Sequence, residues 1–529
     1  MTISARLARL REERGFTMLV VIGVLFVSGL LMTAAFTAAE GDVHLTKNDT
    51  NAKKAYYAAQ AGVSEYAFHL NADFNYWTYC TSGAAASNKA LNLAGSTTNK
   101  AVVPGSSEEE YAIQLLPAST APSTDKKCDT ANPVGTMIQS GGANGGTFRI
   151  ESTGYSGKEK RTILATFAHT SFLNFLYYTQ YETLDPATYE PAKPECEAFH
   201  TEREKLGVGC VNIQFVNGDV VNGPIHTEDT VSICSTPTFG RGPEDRIEFQ
   251  RGTIAGGSGC TDNPTYLGTL IPEEEVPQIE PPPSNTALKA TAGLKYTGKT
   301  IIVLEGTSMK VTNKGSTNTV AYPSNGVIYV SNETCGTSYK PYNPSYTADT
   351  GCGNVYVKGN YETSLTIGAE NDIVINGNLK PPVEASGEPS TNAVLGLIAN
   401  NFVRVYHPVG SGTDSAKECK AANRNAAEDP LGWGSQSNIE IYAAILAVNH
   451  SFIVDNFSCG APLGKLTLHG AVAQVFRGTV GTHSGETVVS GYNKNYSYDE
   501  RLEVESPPYF LNPITASWAV KRAVLAPNP

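Results

Sequence analysis

The chain has 529 residues, 40% hydrophobic and 17% charged, a balance that fits folded globular protein and excludes a disordered one. That length exceeds one ordinary core, so two or three domains are expected. A formal net charge of -12, with no Lys/Arg cluster beyond the N-terminus, argues against a nucleic-acid partner. Fifty glycines, 30 prolines and 26 tyrosines suit a β-rich, turn-rich protein of the cell exterior.

In chain order the first element is apolar. Phe16 to Ala39 gives 24 residues without a charge, about 36 Å as helix, enough to cross a hydrocarbon core of about 30 Å. Arg6, Arg9, Arg11 and Arg14 precede it and should hold the N-terminus in the cytoplasm, leaving everything after Glu40 outside. A cleaved secretory signal is the rival, because "TAAFTAAE" offers small residues near Ala39; its apolar core would be long, since such cores run about 7–15 residues. The basic leader ends at Gly15, and Phe16-Thr17 and the apolar run follow with no polar spacer. Further on, "NDTNAKKAYYAAQAGVSEYAFHLN" carries Tyr56, Ala59, Val63, Tyr66 and Leu70 on a 3-4-3-4 spacing, one stripe of a helix. No proline interrupts Phe16 to Leu70, so one helix over 16–72 is expected, softened at Gly41 by about 1 kcal/mol.

The Gly15-Phe16 junction resembles the type IV prepilin signal, and "AYYAAQAG" after an apolar anchor is similar to the N-terminal region of PilX-type minor pilins. The resemblance covers roughly the first 70 residues. It implies that residues 1–15 are a leader, cut after Gly15 by a prepilin peptidase to leave a methylated Phe16. It also implies that the stripe Tyr56, Ala59, Val63, Tyr66, Leu70 docks on other pilin helices. The implied partners are other pilins, the pilus assembly platform and, before assembly, the cytoplasmic membrane. One departure is Val20, at the fifth mature position, where the family usually has a glutamate that neutralises a neighbour's amino terminus. An unpaired charge in hydrocarbon costs several kcal/mol, so a subunit with Val20 suits the tip of a fibre better than its shaft.

Beyond the helix, "EEYAIQLLPA" alternates as a strand. "GTFRIESTGYSGKEKRTILATFAH" reads as a hairpin with Phe148 and Ile150 facing Ile163 and Ala165. A pilin-like α+β head is therefore expected over 73–170, a connector over 171–204 and a mainly-β surface domain over 205–529. The surface domain has short β-branched runs broken by Gly and Asn, such as "NGVIYVSN" and "SLTIGAENDIVINGNL", with no helical stretch. This suggests stacked parallel strands, a β-helix or solenoid, with a β-sandwich open as the alternative. Its closing segment "GYNKNYSYDERLEVESPPYFLNP" resembles uncharacterised bacterial surface proteins that join a PilX-like start to a β-helical domain. "IPEEEVPQIEPPPSN" (271–285) reads as an excursion within this domain, since strands continue on both sides. Ten cysteines fall by proximity into five local pairs, as an oxidising exterior allows. These are Cys80 with Cys128, Cys196 with Cys210, Cys234 with Cys260, Cys335 with Cys352, and Cys419 with Cys459.

Few residues suggest chemistry. "GLKYTGKT" (293–300) matches the letter of a phosphate-binding loop, but a strand rather than a helix follows it. His226, His450, His469 and His483 lie in separate contexts and read as packed or surface imidazoles. Glu273, Glu274 and Glu275 read as a solvated acidic face without the ligand spacing of a calcium loop. No catalytic residue, cofactor or metal is expected, and the chain is not expected to be an enzyme. The expected function is that of a minor, tip-located type IV pilin or pilus-assembly protein, displaying a large extracellular β domain and acting by assembly and adhesion to an unknown surface ligand. The alternative is a membrane-anchored extracellular carbohydrate-active enzyme, or a binding protein on a simple signal anchor.

Overall fold

The structure, a computed structural model, describes residues 4–73, 76–78, 89–92, 95–118, 137, 147–169, 171–189, 191–336, 346, 350–408, 434–484, 487–503, 505–514 and 518–526, with the backbone alone at 4–17, 38–45, 169 and 483. The chain divides into two compact units, one of residues 1–137, 148–167 and 519–529, the other of residues 138–147 and 168–518.

The smaller unit starts with α1 (Ser4–Ala72), a helix that passes through Gly41 without a break. Its sheet comprises β1 (Leu91–Asn92), β2 (Ala101–Val102), β3 (Glu110–Leu116), β4 (Phe148–Ser156), β5 (Glu159–His169) and the strand Trp518–Leu525. The expected hairpin is present, with Ile150 opposite Ala165 and Ser152 opposite Ile163. The strand Trp518–Leu525 corrects the sequence reading, which ended the surface domain at 529. It lies beside β5, and the Ala526 N–H donates to the Thr162 carbonyl at 2.9 Å. Most of its side chains are exposed, so backbone pairing rather than burial holds it, and hydrophobic periodicity carries no sign of such pairing.

The predicted helical stripe is buried, but on the chain's own sheet. Ala59, Val63, Tyr66 and Leu70 are at most 8% exposed, and Ala55 takes the place expected for Tyr56, which is only half-buried. Ser152 Oγ donates to the Ala59 carbonyl at 2.8 Å, and Tyr66 packs against Tyr76, Phe148 and Phe167 with ring centroids 5.2–6.0 Å away. These residues form the head's core, so they are not the surface that meets other helices. The close approach depends on glycine, because a Cβ on Gly154 would lie 2.0 Å from the Ala55 carbonyl oxygen and 2.3 Å from the Ala59 nitrogen. Gly154→Ala should cost about 3 kcal/mol by overpacking and loosen α1 from the sheet. Chemical denaturation followed by the near-ultraviolet signal of Tyr66 and its neighbours tests this, and an unchanged midpoint would refute the contact.

The larger unit is built on parallel ladders, and their spatial order differs from chain order. One ladder runs through Leu294, Ile328, Ile367, Leu397, Ile445, Val472, Tyr177, Ile225, Ile247 and Leu270, every step in parallel register. A second runs through Ile302, Val357, Ile375, Val405 and Val454, all fully buried. The early coils, starting with Tyr177–Tyr181, therefore stack on the late strand Pro462–Phe476. Residues 271–293 return the chain from one end of the stack to the other. Nine rung steps span roughly 43 Å, and 23 extended residues reach roughly 76 Å, so the return is sterically easy. The proline-rich excursion is thus a strap laid along the ladder, with Ile279, Asn285 and Leu288 buried.

Candidate functional site

Two regions bear on function: the exposed helix at the N-terminus and the polar groups enclosed by the ladders. In the first, Met18–Thr37 is long and apolar enough to cross a membrane, with mean hydropathy 2.5 and none of it buried. Ser28, Thr33 and Thr37 turn their hydroxyls back onto helix carbonyls at 2.9–3.1 Å, so the span presents no free hydroxyl donor to lipid. Gly15 and Phe16 lie within the backbone of α1, one turn ahead of this span. Further along the helix, Lys54 pairs with Glu109 of the β2–β3 turn at 2.9 Å. Hydrogen bonds from Ser106 and then Lys54 hold the Glu109 carboxyl below its ordinary range.

Three of the five expected disulfides are formed, Cys196–Cys210, Cys234–Cys260 and Cys335–Cys352. Cys459 is also disulfide-bonded, and its expected partner Cys419 lies outside the described residues. Cys80 and Cys128, the remaining expected pair, both lie outside the described residues as well. The bridges Cys196–Cys210 and Cys234–Cys260 close loops of 14 and 26 residues, each worth about 3 kcal/mol on the loop-entropy account.

The "GLKYTGKT" segment is the turn between the strands Leu294–Thr297 and Thr300–Gly306. Its backbone donors are engaged: Gly298 N–H bonds Ser331, Lys299 N–H bonds Thr350 and Thr300 N–H bonds Asn354. Lys299 Nζ donates to the Tyr346 carbonyl at 2.5 Å and lies over the Tyr356 ring. A phosphate would find neither a cradle of free N–H groups nor a free ammonium.

The histidines stand apart from one another. His226 is buried, with Nδ1 2.7 Å from Glu248 and its ring stacked on Tyr178. His469 bonds Ser497 Oγ at 3.0 Å, and burial lowers its pKa. Of His483 only the backbone is described. His450 lies 3.1 Å from buried Asp185, and Ser451 Oγ donates to the same carboxylate at 3.0 Å. Burial disfavours the imidazolium of His450, but the hydrogen bond and charge of Asp185 outweigh it and raise the pKa. This is not a nucleophile triad: the serine bonds the carboxylate rather than the imidazole, so no base is aimed at its proton. Glu273, Glu274 and Glu275 form an exposed 3-10 turn. Among the described residues no group of three or more His, Cys, Asp or Glu has metal-holding geometry.

Periodicity gave no sign of the enclosed charges. Arg404 sits between Asp372 and Asp455 at 3.1 Å each, and Tyr346 donates to Asp455 at 2.7 Å. Arg203 meets Asp229 at 2.6 Å. Arg477 meets Glu182 at 3.0 Å, donates to the carbonyls of Ile213 and Gln214, and lies 3.6 Å over the Phe215 ring. The last cluster fixes the seam where late coils meet early ones. Arg477→Met should cost about 3–5 kcal/mol by leaving Glu182 buried and unpaired, while Arg477→Met with Glu182→Gln should recover most of that loss. Equal destabilisation of the single and double variants in urea titrations would show that the ion pair does not set the seam.

Glu228 ties down the strap. Its carboxyl accepts the Ile279 N–H at 2.7 Å, while Tyr178 donates to the Ile279 carbonyl at 2.5 Å. Burial pushes this carboxyl up to about 7, against weaker opposing effects from the Ile279 and Tyr178 hydrogen bonds and Arg251, and with Glu280 adding to the rise. The folded state binds this proton more tightly than the unfolded one. Its contribution is therefore complete below about pH 4.5 and is lost as pH rises towards 7, about 3 kcal/mol in all. Glu228→Gln should flatten this part of the stability–pH curve; an unaltered slope in thermal melts would place the charge elsewhere.

No family model and no curated protein matches the chain. Among solved structures it is similar to the competence-associated pilin ComZ from Thermus thermophilus, with 12% sequence identity and a TM-score of 0.30, over 90% of this chain and 99% of that one.

Proposed function

We propose that the chain is a membrane-anchored surface protein built on the pattern of a PilX-type minor pilin, placed at the tip of a fibre and displaying a large β domain. The observation that carries this reading is a single helix, Ser4–Ala72, with an exposed membrane-length apolar span in its first half and, further along, a face buried on a small, mainly antiparallel sheet. The prepilin-like junction at Gly15-Phe16 supplies the assembly address, and Val20 in place of a glutamate favours the tip over the shaft. The larger unit is read as a β-helix-like solenoid. Support comes from the two parallel ladders and their rungs of Ile, Val and Leu. Its role would be display and adhesion rather than turnover. The disulfides suit that exterior placement.

The N-terminus of the native protein decides the matter. Mass spectrometry of a sheared-surface or membrane fraction should find a chain beginning at methylated Phe16. A start at Glu40 would make it an ordinary secreted protein, and an intact Met1 or Thr2 would leave a simple anchor.

A further inference from the structure

The two ends of the ladder in the larger unit are finished differently. At the Leu294 end the stack is closed. The hairpin strand Ser308–Asn313 pairs with the outer side of Thr300–Gly306 and turns Met309 and Val311 into the core. At the other end the last coil holds β-strands Thr253–Ala255, Thr265–Tyr266 and Thr269–Leu270. Each pairs with the preceding coil, through Ile233–Ala255, Phe239–Tyr266 and Ile247–Leu270, and has no register partner on its outer side among the described residues.

Register partners share a face, so these outer residues continue the interior of the stack. Ile225 and Ile247 are fully buried, yet Leu270, the next position on the same ladder, is 48% exposed and nearby Leu267 is 51% exposed. The core therefore ends in an uncovered layer. The N–H groups of Thr269 and Ile271 bond inward to Asp245 and Ile247, so by strand alternation the N–H and carbonyl of Leu270 point outward. The Cys234–Cys260 disulfide pins this coil to the one before it, which makes the edge preformed.

Charge marks the rim. Exposed Glu273, Glu274 and Glu275 follow directly on the last strand, and exposed Asp262 lies in the loop of the same coil. The nearby arginines are engaged elsewhere, Arg246 on Glu248 at 2.5 Å and Arg251 over the Phe199 ring at 3.8 Å. We propose that the coil Thr253–Leu270 is a docking edge for an extended segment of a partner protein, apolar on the side chains that cover Leu267 and Leu270 and basic at its flanks. The open backbone selects a strand, the uncovered leucines select apolar side chains, and the acidic rim selects lysine or arginine beside them. The edge strands hold only two or three residues each, so the apolar contact rather than the backbone ladder sets the affinity.

The test uses the full chain in detergent and a fluorescent lysine-flanked peptide of alternating valine and threonine, with a glutamate-flanked counterpart. Anisotropy should show saturable binding of the lysine-flanked peptide and little binding of the other. Leu270→Pro removes an outward N–H without touching an inward ladder bond, and Leu270→Asp changes only the side chain. Either should weaken binding at least about tenfold with the unfolding midpoint preserved. If Leu270→Pro lowers the midpoint, Leu270→Asp decides. Absence of binding by either peptide, or equal binding to wild type and to both variants, overturns the proposal. So does concentration-dependent self-association of the wild type that Leu270→Asp abolishes, because the covering would then be a second copy of this chain.

Discussion

The pairing of Val472 with Tyr177 is the joint on which the larger unit depends. A coil of parallel strands cannot satisfy its backbone or cover its apolar face by itself, so each needs a neighbour on both sides. Here the neighbour of the first coil comes from nearly 300 residues later, so the stack is complete only once the end of the domain has met its beginning. The polar groups concentrated at this joint then make physical sense. Glu182, held by Arg477, and Asp185, held by His450 and Ser451, are fully buried on the early segment, and their partners are supplied by the late one. A misplaced seam would strand these charges in the interior, which penalises slipped registers more than apolar contacts alone could.

The strap solves the remaining topological problem. A chain that builds outward from its first coil must travel back before it can build towards that coil from the other side. Residues 271–293 do so along the ladder, and the fastening points are sparse but specific. The Ile279 N–H donates to the Glu228 carboxyl, and its carbonyl accepts from the Tyr178 hydroxyl. The Asn285 side-chain amide donates to the carbonyls of Ala369 and Ile398, and its Oδ1 accepts from the Tyr329 hydroxyl. Proline between these points removes backbone donors that would otherwise need partners. Composition that reads as linker is thus compatible with a segment whose key side chains are buried.

Local features of the fold were legible in the sequence and non-local ones were not. The apolar span, the buried helical stripe, the hairpin over 148–169 and the β-branched runs were readable because each depends on spacing within a few residues. Three local cysteine pairs were readable for the same reason. The stripe's partner was misjudged, since periodicity shows that a face is buried but not what covers it; small Gly154 on the sheet was the available hint. The strand Trp518–Leu525 carried no burial pattern to betray its return to the first sheet. The seam charges lie in "YETLD" and "VFRGTV", where nothing in the local spacing marks Glu182, Asp185 or Arg477 as buried, because their partners are remote in the chain.

The buried charges also bear on the register of the stack. Several buried carboxylates of the larger unit are held by guanidinium groups of the same chain: Asp372 and Asp455 by Arg404, Asp229 by Arg203, Glu182 by Arg477. Such pairs add little net stability over apolar packing, but they strongly disfavour wrong arrangements. A long stack whose coils look alike from rung to rung has many near-equivalent registers to avoid. The buried polar chemistry therefore acts as register control for the stack.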